Sequence, residues 1–151
     1  MRVSQVNGFT LIELVVVIAI LGILAAFAVP RLVALDSSAR TAQIQSLAGS
    51  LHSAATLARG LDAATGNTGS ITMEGAAVSL VNGYPDATNN GIQAAMGGTA
   101  LNGTYYYGPS TPTGTGTWRL NGVGGGLNCM VLYTAAPAGG LPTITTVTSA
   151  C

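Results

Sequence analysis

The feature that most constrains the fold of this 151-residue chain is an apolar run near its N-terminus. Residues Leu14–Val29 contain no charge and no proline, and with Phe9–Ile12 they make twenty-one residues interrupted only by Glu13. At about 1.5 Å per residue a helix of that length spans roughly 31 Å, which matches the roughly 30 Å hydrocarbon core of a bilayer. Because no polar face remains, we predict that residues 9–29 form a helix embedded in lipid or in protein.

Glu13 is the single charge inside this run. A carboxylate within a membrane segment is costly, and it marks a candidate functional site whose partner has to be identified. A charged side chain near the end of a span also reaches the polar interface by extending along the helix. These residues alone leave both interpretations open.

The string G-F-T-L-I-E-L at residues 8–14 closely resembles the processing site of type IV prepilins. The likeness covers about thirty residues, from the leader through Pro30. It implies that residues 1–8 are a leader, and that a prepilin peptidase cuts between Gly8 and Phe9 and methylates the new amine of Phe9. Glu13 then becomes the fifth residue of the mature chain, where that family carries its characteristic glutamate.

The resemblance also implies a partner for Glu13, namely the N-terminal ammonium of a neighbouring subunit in a filament. An α-amine has a pKa of about 7.7–8 and is mostly charged at neutral pH, and methylation keeps that charge. Because a buried charge needs a partner, a subunit docked out of register would leave both groups unpaired. We therefore expect the pair to specify assembly register more than it adds stability.

Other classes of protein share parts of this pattern. A type II secretion pseudopilin has the same N-terminus but usually lacks a C-terminal disulfide, and a minor pilin is a further alternative. A membrane-anchored binding domain that never polymerises is a third. An ordinary signal peptide cut after Ala28 is opposed by Glu13 and by the helical pattern that continues beyond the apolar run.

Two positions weaken the long helix. Pro30 leaves the carbonyl of Ala26 without its helical hydrogen bond, and Gly22 is a poor helix former. We predict a gentle kink rather than a stop, and the prepilin resemblance implies that the stretch between them unwinds inside filaments.

An amphipathic helix is predicted over residues 30–60, with Gly60 just beyond its last turn. Its apolar side chains repeat at helical spacing and form one stripe. The residues of that stripe are Ile44, Leu47, Leu51, Ala54, Ala58 and Leu61.

Residues 61–151 are predicted to form a globular β-domain, which makes the fold class α+β. The turn pair Asn82-Gly83 is flanked by extended segments, and Ile92–Met96 reads as one helical turn. Short links between strands imply an antiparallel sheet, with the long helix on one face. The predicted strands are Ser70–Glu74, Ala76–Val81, Thr104–Tyr107, Thr117–Leu120, Leu127–Thr134 and Thr143–Thr148. Within this domain, Glu74-Gly75 and Val81–Pro85 resemble the mannose-sensitive haemagglutinin (MSHA) group of type IV pilins.

Cys129 and Cys151 are the two cysteines. Their even number, in a chain with an export-type N-terminus, favours a disulfide, and two buried free thiols are the alternative. A bridge from the last residue to a preceding strand also fits the prepilin resemblance, since that family is commonly closed by a C-terminal disulfide.

Composition argues against several functions. Charged residues make up 7% of the chain and all five basic ones are Arg, so no basic patch is predicted to hold nucleic acid. His52 is predicted to be a surface residue. Gly124–Gly126 lack the strand–helix context and the lysine of a phosphate loop, and the sequon at Asn102 is predicted to be unmodified. No catalytic, cofactor-binding or metal-binding set is predicted, so we do not expect an enzyme.

Tyr105–Tyr107 allow two interpretations, a sugar-binding aromatic strip or tyrosines that alternate between the two faces of a sheet; we predict the second. Taken together, the resemblance implies a structural subunit made in the bacterial inner membrane. It would be processed by the prepilin peptidase and polymerised, with an assembly platform and a motor ATPase, into a homopolymeric surface pilus for adhesion or motility.

Overall fold

The structure, a computed structural model, describes residues 8–66, 69–98, 103–109, 111–122 and 128–151. One long helix, α1 (Leu11–Thr65), is followed by short strands and by a helical turn at Asn89–Gln93. This arrangement confirms the predicted α+β class. Residues 1–7 of the predicted leader, Asn102 and Gly124–Gly126 lie outside the described residues. The chain divides into two compact units between Ser37 and Ser38, and each is treated separately below.

In the first unit, the described residues are the apolar first part of α1 and residues 8–10, which precede it. All of these side chains are exposed, from Val15 at 48% to Phe9 at 86% for the large apolar ones. By length and composition α1 is apolar enough to cross a membrane. The helix continues through Gly22 and Pro30, which confirms that Pro30 is not a stop; the kink stays a prediction.

In the second unit, α1 buries one stripe against the sheets. The buried residues are Ile44, Leu47, Leu51, Ala55, Ala58 and Asp62. The prediction placed Ala54 and Leu61 on this stripe, but both are only partly buried. Spacings that alternate strictly between three and four residues average 3.5 residues per turn, whereas an α-helix has 3.6. The predicted stripe therefore drifts around the helix, and Ala55 and Asp62 take the buried positions instead.

The predicted helix end at Gly60 was wrong, because α1 runs to Thr65. Asp62 is buried beyond Gly60, so tertiary packing holds the extra turn in helical form. The Thr65 hydroxyl donates to the carbonyl of Leu61 at 2.9 Å, and the N–H of Gly66 donates to the carbonyl of Asp62 at 3.1 Å. The second of these bonds satisfies a carbonyl that the helix end would otherwise leave without a partner.

The strands form two antiparallel sheets rather than the single sheet predicted. The first sheet has the order β1 (Ser70–Met73), β2 (Ala76–Val81), β3 (Tyr84–Pro85). The second has the order β4 (Tyr105–Gly108), β5 (Thr115–Leu120), β6 (Met130–Thr134), β7 (Thr143–Val147). The pairing of β2 with β3 ends at Leu80–Pro85, and Pro85 has no N–H to offer to a further strand.

The Asn82-Gly83 turn is confirmed. Asn82 and Gly83 have φ angles of 51° and 79°, and Val81 pairs directly with Tyr84. Positive φ at both central residues defines the tight hairpin turn that suits twisted strands. The Asn82 side chain donates to the carbonyl of Ala136 at 2.8 Å, which ties this hairpin to the chain after β6.

The end of β3 and the residues after it are joined to the second sheet by two tyrosines. Tyr133, which is fully buried on β6, donates its hydroxyl to the carbonyl of Pro85 at 2.7 Å. Tyr107 on β4 donates to the carbonyl of Ala87 at 2.8 Å. Carbonyls that no longer belong to a ladder thus find partners in the second sheet.

Asp86 holds the same segment from its other side. Its carboxylate accepts from the Ser79 hydroxyl at 2.7 Å and from the Thr88 N–H at 2.9 Å. A Cβ at Gly91 would lie 2.0 Å from Asp86 Oδ1, so only glycine fits beside this carboxylate. The buried charge is therefore satisfied by hydrogen bonds, as its burial requires.

The disulfide between Cys129 and Cys151 is present, with 4.9 Å between the Cα atoms, which confirms that prediction. It ties the last residue to the residue just before β6. Because Cys129 is buried, the bridge also anchors the C-terminus to the core.

Burial, reinforced by the charge of Asp86, raises the pKa of both Tyr107 and Tyr133. An unfolded tyrosine loses its proton near pH 10, whereas these two keep theirs when folded. Their contribution to stability is therefore complete below about pH 10 and is lost as the pH rises further.

We predict that Tyr133→Phe weakens the pH dependence of unfolding above about pH 10. At pH 8 the variant should lose about 1–3 kcal/mol, because the carbonyl of Pro85 is left unpaired. The measurement is guanidinium unfolding of the full chain in detergent micelles, followed by the fluorescence of Trp118, the one tryptophan. Exposed Tyr106→Phe is the control, and equal alkaline slopes for Tyr133→Phe and wild type would contradict this explanation.

Candidate assembly site at the N-terminal helix

Thr10 and Glu13 form a reciprocal pair of contacts at the start of α1. The Thr10 N–H and hydroxyl both donate to Glu13 Oε2, at 2.9 and 2.8 Å. The N–H of Glu13 donates back to the Thr10 hydroxyl at 3.3 Å. This is a capping box, which satisfies N–H groups that the first turn leaves without helical partners.

This pair was not predicted from the sequence, although its signal is present there. Threonine followed three residues later by glutamate, just before an apolar run, is the sequence pattern of a capping box. The pair explains why α1 begins at Leu11, with Thr10 as the capping residue. It also places a carboxylate at the helix N-terminus, where the helix dipole favours negative charge.

Both bonds from Thr10 reach the same oxygen, Oε2. An ionised carboxylate has about four acceptor positions on its two oxygens. Glu13 is therefore held in place by its own chain and keeps the capacity to accept from a further donor.

A shallow groove of about 390 Å³ runs beside this carboxylate. Its walls are Phe9, Ile12, Val16 and Val17, and Glu13 is the one ionisable side chain among the described residues that line it. The groove thus offers an apolar surface with a single negative group, which suits a cation carried on an apolar residue.

The structure also shows where the other predicted site residues lie. Gly8 and Phe9 precede the helix and are exposed, so the peptide bond between them is accessible. Gly22 and Pro30 lie inside α1. Within the described part of the chain, no three His, Cys, Asp or Glu side chains are grouped so as to hold a metal ion. His52 is exposed, as predicted.

The three consecutive tyrosines alternate, as predicted. Tyr105 and Tyr107 are partly buried, and their hydroxyls donate to the backbone carbonyls of Gln43 and Ala87. Tyr106 is 59% exposed. They therefore do not form a continuous exposed aromatic strip.

Comparison with known proteins points to the same N-terminal segment. Residues 4–29 match the family described as the prokaryotic N-terminal methylation motif. The chain thus carries the methylation motif of prokaryotic pilins, and it is similar to type IV pilins, which confirms the resemblance to prepilins. The likeness to the MSHA group stays a prediction.

Two relatives illustrate the similarity. The type IV narrow pilus major component PilA5 of Thermus thermophilus is 48% identical over 54 residues, 36% of this chain and 47% of that protein. The type IV major fimbrial protein FimA of Dichelobacter nodosus is 39% identical over 99 residues, 59% of each chain. This chain therefore spans about half the length of the curated relatives it matches. No solved structure gives a significant match.

We predict that Thr10→Ala loosens the first turn of α1, since loss of a capping side chain costs about 1 kcal/mol. Hydrogen exchange of the amides at residues 11–14, measured in detergent micelles, should accelerate about fivefold. Thr10→Ser keeps the hydroxyl and should exchange like the wild type. Equal exchange in Thr10→Ala and Thr10→Ser would show that the side chain does not cap the helix.

Proposed function

We propose that this chain is a structural subunit of a type IV pilus, made as an inner-membrane precursor and polymerised into a surface filament that serves adhesion or motility. The observation that carries the proposal is a capped carboxylate, Glu13, in an otherwise apolar and fully exposed stretch of helix beside a methylation motif. The prepilin peptidase, an assembly platform and a motor ATPase would be its partners.

The exposed apolar surface supports assembly on physical grounds. At least a dozen large apolar side chains between Phe9 and Leu35 are half or more exposed. A surface of that extent has to be covered by lipid or by another protein. Identical copies that cover it through repeated head-to-tail contacts generate an open helical filament rather than a closed ring.

Cleavage after Gly8 would create the donor that Glu13 is able to accept. The new ammonium on Phe9 lies on a large apolar residue, which matches the groove of apolar side chains around Glu13. The capping box holds the carboxylate in place before a second subunit arrives, so little side-chain entropy remains to be lost on docking. Pairing of the two charges then favours one register, because any other leaves both desolvated and unpaired.

The composition makes this pairing testable without ambiguity. All five basic residues are Arg, so the α-amine is the only amine that the mature chain would possess. A carbodiimide joins a carboxylate directly to an amine in contact with it. Every amide cross-link between mature subunits therefore has to involve residue 9 of one of them.

We predict that carbodiimide treatment of sheared fibres joins the amine of Phe9 to the carboxylate of Glu13 of another subunit, as identified by mass spectrometry of the linked peptides. Glu13→Gln should remove this link and lower fibre yield at least about tenfold, while the variant still inserts in the membrane. Glu74→Gln, at an exposed acid on the β1–β2 turn, is the matched control and should behave like the wild type.

The alternatives give different results. Normal fibre yield from Glu13→Gln, or links that join Phe9 to other acids, would refute the role of Glu13 in register. A chain found only in membranes would indicate an anchored binding domain. A chain found as a trace component of fibres built from another protein would indicate a minor pilin or a pseudopilin.

A further inference from the structure

A cleft of about 460 Å³ lies at the edge of the second sheet, beside its edge strand β4. Its volume falls within the range of roughly 300–1,000 Å³ that is usual for small-molecule sites. Three aromatic residues of β4, the tryptophan of β5 and two amides of the helical-turn segment account for most of its lining. These residues are Tyr105, Tyr106, Tyr107, Trp118, Asn89 and Gln93.

The aromatic walls are fixed in position. The rings of Tyr107 and Trp118 stack with centroids 4.3 Å apart. The hydroxyls of Tyr105 and Tyr107 donate to backbone carbonyls, which anchors the outer end of each ring. Tyr106, at 59% exposed, adds an aromatic surface that is open to solvent. A ligand would meet a largely preformed surface, which lowers the entropy lost on binding.

The polar groups of the cleft are neutral. Asn89 and Gln93 each carry an amide that both donates and accepts hydrogen bonds, and no charged side chain occurs among the described residues that line the cleft. Trp118 is fully buried, and its indole N–H has no hydrogen-bond partner among the residues that the structure describes. A buried donor left unpaired is unfavourable and calls for an acceptor.

We propose that this cleft binds a neutral saccharide. A sugar ring has C–H faces that pack on aromatic rings and hydroxyls that both donate to and accept from amides. A charged ligand would be desolvated without a counter-charge, and a purely apolar ligand would leave the two amides unpaired. Trp118 lines the cleft, so a bound sugar alters the surroundings of its indole ring.

Trp118 is the one tryptophan of the chain and lines this cleft, so the tryptophan emission has a single source at the proposed site. The experiment uses full-length protein in phosphocholine micelles, which contain no sugar headgroups. Glucose, galactose, mannose and N-acetylglucosamine are titrated up to about 100 mM, a range that covers the millimolar affinities of small ligands. Saturation-transfer NMR of the sugar protons provides a second, independent measure of binding.

We expect at least one of these sugars to give a saturable change in Trp118 emission and saturation transfer to its ring protons. Glucuronic acid, which differs from glucose by a carboxylate, should bind more weakly than glucose. Asn89→Ala and Tyr106→Ala should each raise the half-saturating concentration of the bound sugar at least about tenfold. Asn90→Ala, at the exposed neighbour outside the cleft, is the matched control and should leave it unchanged.

Absence of both the fluorescence change and the saturation transfer for all four sugars would overturn the proposal. It would also be overturned if Asn89→Ala and Asn90→Ala bound sugar equally well, since binding would then lie elsewhere. The test does not depend on filament formation, so failure to assemble into fibres would leave this inference intact.

Discussion

The first half of α1 presents an apolar surface that is not covered by any described residue of its own unit. Side chains from Phe9 to Leu35 are exposed along the whole first half of α1, and exposed apolar area is unfavourable in water in proportion to its extent. This surface has to leave water for lipid or for copies of itself. Glu13 is compatible with both environments, because Thr10 and the first turn of the helix satisfy part of its hydrogen-bonding capacity.

The second unit is stabilised differently. Its two sheets share no strand, and hydrogen bonds around residues 85–88 connect them. Tyr133 and Tyr107 reach this segment from the second sheet, while Ser79 reaches Asp86 from the first. Removing one partner leaves a buried polar group unpaired, so the unit depends on complete pairing here. The disulfide then fixes the C-terminus to the same core.

Local signals predicted most of the secondary structure, and tertiary contacts account for what was missed. The apolar run and the Asn82-Gly83 turn are determined by residues close together in the chain. The two cysteines have only each other as possible partners. The sequence was therefore sufficient to predict these features. The helix end past Gly60 depends on burial of Asp62, which no local pattern reveals. The sequence pattern of a capping box is present at Thr10 and Glu13 but was not used. The aromatic cleft could not be predicted locally, because it joins segments about thirty residues apart.

The most direct test of the central claim is the N-terminal peptide of the main protein in fibres sheared from the cell surface, measured by mass spectrometry. Retention of the apolar helix after cleavage predicts a peptide that begins with N-methylated Phe9 and continues through the apolar run. A first residue at Val29 would mean that the run is removed as a signal peptide. Fibres whose main protein begins at Met1, or is a different chain, would equally contradict the account.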